Sequence, residues 1–155
     1  MPSHVDTITA AAETHTIKEH IHSVSKCYPT LAAGVDVTAA NGATTWTLGA
    51  VVEVVPKDTI TSDFDIHSLT IELADTATTY ELVLYYDELD DGSDVEIGRF
   101  RWARVGAQVK SDRISLITAA PSHAVIPANS SINAKVATPD DNGEILTISV
   151  EYHTY

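Results

Sequence analysis

A chain of 155 residues with a formal charge of −13 fits one domain, and its nine Lys/Arg against 22 Asp/Glu are too few to neutralise a phosphate backbone, which excludes broad nucleic-acid binding. The single cysteine, Cys27, excludes an intrachain disulfide, so the fold must stand on packing. Val, Ile and Thr supply 47 residues and Ile outnumbers Leu thirteen to nine, a bias toward strands because β-branched side chains are stiff at χ1 and pack well on a pleated surface.

The N-terminus shows no basic segment followed by an apolar run, and the most apolar stretch, 48–55, is short and broken by Glu53. Neither a secretion signal nor a membrane span is expected. Residues 1–27 hold four of the seven histidines, His4, His15, His20 and His22, and lack a sustained two-residue alternation. They read as an N-terminal arm, extended or partly helical over 8–20, that becomes ordered against a partner.

Residues 28–155 read as a single antiparallel β-sandwich domain. Strand-like runs recur at 35–39, 44–55, 64–73, 78–88, 94–105, 112–118, 123–126, 131–138 and 145–154, separated by turn residues. The last run is the clearest, with Leu146, Ile148, Val150 and Tyr152 in one phase and Thr147, Ser149, Glu151 and His153 in the other. Two hairpins are expected, at Asp90-Asp91-Gly92-Ser93 and at Pro139-Asp140-Asp141-Asn142-Gly143, where Asn-Gly tolerates positive φ. A change of phase predicts a bulge near Gly98 that turns Val95, Ile97, Phe100 and Trp102 toward the core and Arg99 and Arg101 outward; a similar slip falls near Ser68. The pattern is all-β, with a jelly roll favoured and an immunoglobulin-like sandwich as the alternative, weakened by the missing cysteine pair.

Arg99, Arg101, Arg104 and Arg113 are all the arginines of the chain and fall within fifteen residues, whereas the 41 residues before them contain twelve Asp/Glu and no Lys or Arg. This predicts two electrostatic ends, with Arg99, Arg101 and Arg104 available to dock on an acidic surface. Outward arginines also predict that reversing their charge alters stability little. The competing reading is a solvated strand face balanced by Asp94, Glu96 and neighbours.

Other constellations carry less. His20 and His22 share one side of an extended Glu19-His20-Ile21-His22 segment, but the spacing is not that of a helical zinc-protease motif. No metal ligand set is assigned, and these two histidines are grouped with the docking residues of the arm. The acidic tips at 87–94 and 140–144 do not fit a calcium loop: from Asp87 the third and twelfth positions are Leu89 and Gly98. They read as solvated hairpin tips. No nucleophile elbow, phosphate loop or dinucleotide motif is present, so no catalytic residue, cofactor or enzymatic activity is expected.

Several segments carry a family resemblance: Glu-His-Ile-His at 19–22, Tyr-Pro-Thr-Leu-Ala at 28–32, Trp-Thr-Leu-Gly-Ala at 46–50, Val-Glu-Val-Val-Pro at 52–56 and Ile-Thr-Ser-Asp-Phe-Asp-Ile-His at 60–67. Further along come Tyr-Glu-Leu-Val-Leu-Tyr at 80–85, Glu-Ile-Gly-Arg at 96–99, Ile-Pro-Ala-Asn-Ser at 126–130 and Tyr-His-Thr-Tyr at 152–155. In these the chain resembles small virion structural proteins of tailed bacteriophages. The resemblance implies a non-enzymatic capsid decoration protein made in the host cytoplasm and carried on the virion. It also implies a homo-oligomer, with a trimer favoured, bound to the major capsid protein or another virion protein, with no nucleic-acid or membrane partner. It names no binding residue. The alternative is a carbohydrate-binding β-sandwich module of a phage fibre or lectin.

Overall fold

The β-branched runs become strands. The computed structural model describes residues 25–30, 33–42, 45–104, 112–115, 125–140 and 142–155, with Trp102 and 112–115 as backbone only. Residues 1–24 of the arm, with His20 and His22, lie outside the described residues. Within them there is no helix, so none is long and apolar enough to cross a membrane. The strands are β1 (Lys26–Tyr28), β2 (Val35–Thr38), β3 (Val52–Val55), β4 (Phe64–Ala74), β5 (Thr79–Asp87), β6 (Val95–Ala103), β7 (Asp112–Ser115), β8 (Ser131–Ala137) and β9 (Ile145–Thr154).

Their pairing is nested: β2 with β9, β3 with β8, β4 with β7 and β5 with β6, all antiparallel. This is the pattern of one long hairpin with its tip at β5–β6. Rolling that hairpin up brings β9 against β4 and β8 against β5, and gives one sheet ordered β2-β9-β4-β7 and another ordered β3-β8-β5-β6. The fold is therefore a jelly roll. β1 extends the first sheet by pairing with β9 at Lys26↔Tyr152, Cys27↔Glu151 and Tyr28↔Val150, so Lys26 and Cys27, assigned from sequence to the end of the arm, join the sheet.

The nesting leaves β5–β6 as a local hairpin and makes β8–β9 something else. β8 pairs with β3 and β5 while β9 pairs with β1, β2 and β4, so the expected hairpin at 139–143 is instead a crossing between sheets. Gly143 does take positive φ (76°), but its N–H donates to the Ala40 carbonyl, and Asn142 bridges Asn41 rather than closing on β8. Asn-Gly supplies the same local bend in either setting; long-range pairing decides where the chain goes.

Both expected bulges are present. Leu84 and Tyr85 face Gly98 and Glu96, leaving Ile97 as the extra residue of β6, and Ile66 and Ser68 face Tyr152 and Glu151, leaving His67 as the extra residue of β4. Ile97 and Phe100 pack on the core as expected, but Val95, at the hairpin end of β6, remains 48% exposed. The run expected at 44–55 narrows to β3. The Trp46 and Gly49 N–H groups still donate to the Thr138 and Val136 carbonyls of the β8 side, at 3.1 and 2.9 Å. However, Trp46 has φ 66°, and a Cβ on Gly49 would sit 2.0 Å from the Thr38 carbonyl oxygen. From the expected 123–126 run, the described part is a bridge of Ile126 to Phe64.

The core lies between the sheets. Leu69 and Ile71 of β4 and Leu146, Ile148 and Val150 of β9 meet Tyr80, Leu82 and Leu84 of β5 and Ile132, Ala134 and Val136 of β8, all fully buried. Burial of each large aliphatic side chain stabilises by roughly 1.5–3 kcal/mol, against about 0–1 kcal/mol for a surface ion pair, so this layer and not charge holds the sandwich. The Tyr80 hydroxyl donates to the Thr76 carbonyl at 3.0 Å and ties the β4–β5 crossing to the core; burial pushes its pKa up to about 12.

Candidate functional site

Strand alternation sends Tyr80, Leu82 and Leu84 inward and leaves Glu81 and Val83 on the outward face of the four-stranded sheet. The β5–β6 register then places Arg101 opposite Glu81 and Arg99 opposite Val83. The turn joining the two strands is fixed by Asp87, whose Oδ1 accepts the Leu89 and Asp90 N–H groups at 3.0 and 2.8 Å and whose Oδ2 accepts that of Gly92 at 2.8 Å. A set turn sets the register, and the register sets the charge pairing.

Two guanidinium groups converge on one carboxylate. Arg99 Nη1 donates to Glu81 Oε1 at 2.8 Å, and Arg101 donates to Oε2 from Nε at 3.0 Å and again from Nη2. Arg99 Nη2 also reaches Glu96 Oε2 at 3.3 Å. Glu81 is 6% exposed, whereas the side chains of Arg99 and Arg101 are 46% and 53% exposed. Across the sheet, Glu81 is paired in register with Ala137 of β8, whose short side chain leaves room above the strand. Trp46, bonded to Thr138, lies with its ring 3.9 Å below the Arg101 guanidinium, which is thus stacked on one side and ion-paired on another. Burial pushes the Glu81 carboxyl up, but the hydrogen bonds from Arg101 and then Arg99 outweigh it and hold the group below its ordinary 4.5. Glu96 first, then Glu81, raise Arg99 above its ordinary value.

The arginines predicted from sequence are only partly brought together. Arg99 and Arg101 form the pair just described. Arg104 follows the end of β6, out of phase with them and half-buried, its N–H donating to the Thr78 carbonyl at 2.8 Å. Arg113 is in β7 of the other sheet, opposite Thr70. The linear charge split does not become a spatial one, because the β5–β6 hairpin folds the acidic stretch back on the arginines and gives both of them partners within it. The expectation that charge reversal alters stability little is also corrected: the pair neutralises a buried carboxylate.

The acidic tips are turn caps. The carboxylate of Asp87 is occupied by backbone donors, and Glu144, 4% exposed, accepts from Thr138 Oγ1 at 2.7 Å and from the Asn142 N–H at 3.2 Å. Sequence reasoning missed Glu81 and Trp46. Glu81 carries a readable signal, a charged residue flanked by apolar ones in a strand opposite two arginines, but Trp46 reaches Arg101 only through the rolled topology. His153, isolated in sequence, packs against His67 with ring centroids 3.8 Å apart and planes tilted by 52°. Together with Asp65 these two histidines are the described group with metal-compatible geometry.

No protein-family model matches the chain. No curated protein matches it either. Among solved structures, an Eiger TNF from S. frugiperda is similar at TM-score 0.40 and 10% identity, over 86% of this chain and 93% of that one. A structure of infectious bursal disease virus, Gx strain, is similar at TM-score 0.39 and 10% identity, over 86% of this chain and 33% of that one. Broad Bean Stain Virus follows at TM-score 0.35 and 7% identity, over 86% and 90%. The jelly-roll assignment rests on the strand pairing, not on these likenesses.

Proposed function

We propose that this chain is a non-enzymatic virion structural protein, a capsid decoration protein of the kind found on tailed bacteriophages, docking on the outer shell in many copies and stabilising it. In this reading it is made in the host cytoplasm, assembles as a homo-oligomer with a trimer favoured, and binds the major capsid protein or another virion protein. The residues before β1, with His20 and His22, act as the arm, and the chain from Lys26 onward forms the body. The segments that resemble phage virion proteins span both.

The observation that carries the docking reading is the Arg99/Arg101 pair. A buried carboxylate and an indole ring hold two half-exposed guanidiniums in place on an edge strand of a chain with net charge −13. Each guanidinium has five N–H donors in a planar fork. The geometry above uses two of them on each arginine, so donors remain that an acidic partner can engage without first ordering the side chains. Arg104, grouped with them in the sequence, lies past the end of β6 and out of phase with the pair, so the docking face rests on Arg99 and Arg101.

The test uses neutral replacement so that no buried charge is stranded. Glu81→Gln/Arg99→Gln/Arg101→Gln, checked for cooperative unfolding, is mixed with undecorated particles across a salt series. Slower association and a flatter salt dependence are expected, because outward charges steer encounter and are screened over about 8 Å at physiological ionic strength. Attachment equal to that of the parent chain at every salt concentration would show that the pair serves the hairpin alone.

A further inference from the structure

At the far end of the five-stranded sheet, three side chains of metal-ligand type meet across β4 and β9. Asp65 and His153 are cross-strand partners in register, and His67 is the extra residue of the β4 bulge. An Asp and a His two residues apart would share a strand face in any case. The β4–β9 ladder delivers His153 from the end of the chain to the same place. One donor atom from each of the three lies within 4.8 Å of the others. His67 Nε2 is 3.0 Å from Asp65 Oδ1, and the two imidazole rings are tilted 52° to one another.

The carboxylate of Asp65 is 4% exposed, and its two oxygens differ. Oδ2 accepts from the Tyr155 hydroxyl at 2.8 Å, while Tyr155 is itself held by its N–H on the Asp63 carbonyl at 2.9 Å. Oδ1 accepts no hydrogen bond, although it is buried and beside two imidazoles. A buried anionic oxygen without a well-aligned donor is costly, and a cation among the three groups would satisfy it. Two ligands at roughly 2.0–2.1 Å from one ion stand about 3–3.4 Å apart at the angles of open or tetrahedral sites. The Asp65–His67 separation of 3.0 Å already fits, and all three donor atoms lie within 4.8 Å of one another.

The geometry points to Asp65 Oδ1, His67 and His153 as a three-ligand site for a divalent transition-metal ion of the zinc class, with Tyr155 as the positioning residue that orients the carboxylate. Two imidazoles and one carboxylate suit Zn²⁺ and its first-row neighbours rather than Ca²⁺ or Mg²⁺, which prefer oxygen. Such an ion joins the bulge of β4 to the last strand and leaves a coordination position for water or for a group from another chain.

The test is a titration of the full chain, stripped with chelator, using Co²⁺ followed by visible absorption and Zn²⁺ followed by thermal unfolding. One equivalent per chain is expected to bind, with ligand-field bands for Co²⁺ and a melting temperature that rises with Zn²⁺ concentration. Asp65→Asn and His153→Gln should each weaken that equivalent at least about tenfold, and Tyr155→Phe should weaken it by about tenfold, in line with loss of a supporting contact. His20→Ala/His22→Ala should leave it intact. Absence of binding at ~100 µM metal overturns the site, as does an equivalent that survives His153→Gln and disappears with His20→Ala/His22→Ala. If a variant fails to fold, the imidazole resonances of the parent chain decide. Zn²⁺-dependent shifts at His67 and His153 support the site, and shifts confined to the N-terminal histidines overturn it.

Discussion

Two buried carboxylates on strands of different sheets, Glu81 of β5 and Asp65 of β4, are treated in opposite ways. Glu81 receives donors on both oxygens from two guanidiniums that a tryptophan and a second carboxylate help to place. Asp65 receives one donor on Oδ2, and its Oδ1 faces two imidazoles without accepting a hydrogen bond. The first cluster is complete within the chain, so it can be rigid and offer its outer donors to a partner. The second is completed from outside.

The largest expected effect comes from leaving Glu81 buried without its counter-charges. Arg99→Glu/Arg101→Glu should destabilise the fold by about 3 kcal/mol, the low end for a broken buried ion pair because the guanidiniums themselves stand half in water. Denaturant unfolding measures this. The triple glutamine variant should recover most of the loss, and equal stability of the two would mean that the carboxylate is not the reason for the pair.

A matched isosteric change sharpens the comparison. Glu81→Gln removes charge-assisted hydrogen bonds and should cost about 2–3 kcal/mol. Asp65→Asn, measured in chelator, keeps the Tyr155 contact and gives up only the partly exposed ion-pair contact of Oδ1 with His67 Nε2, so it should cost about 1 kcal/mol or less. Similar losses at the two positions would dissolve the contrast.

Acid has a smaller effect with a defined sign. The Glu81 carboxyl is held below its ordinary 4.5 in the folded chain, so its contribution is fully present above about pH 4.5 and is lost as the pH falls through the lower folded value. Stability followed by thermal unfolding as the pH falls from about 6 to well below 4.5 should decline less steeply for Glu81→Gln than for the parent chain. The smallest expected change is at Trp46. Its stack on Arg101 is worth about 0.5–1 kcal/mol at a partly exposed site, beyond the apolar area lost, and a double-mutant cycle of Trp46→Leu with Arg101→Gln isolates that coupling.

Much of the sandwich could be read from the chain because its signals are local. Alternation in β9 and the phase slips at Gly98 and Ser68 each follow from a few consecutive residues, and so the strands and both bulges were foreseeable. The 139–143 crossing was not, because Asn-Gly bends the chain identically whether the next strand stays in its sheet or leaves it. The same limit applies to the clusters. Arg99 and Arg101 announce a shared face by spacing, yet their partner Glu81 lies on the neighbouring strand and Trp46 beyond two strands. Asp65 and His153 are separated by most of the domain and meet only through the β4–β9 ladder. Val95 fails for a different reason: its phase is right, but at the hairpin end of β6 it stays exposed.

Whether the completed cluster is the docking face is tested most directly by electron cryo-microscopy of particles bearing the bound protein, at a resolution that traces β5 and β6. The account predicts the protein on the outer shell with the outward face of β6, and Arg99 and Arg101 on it, against acidic residues of the shell. Density at the tail or a fibre, or a shell-bound protein with that face turned to solvent, would contradict it.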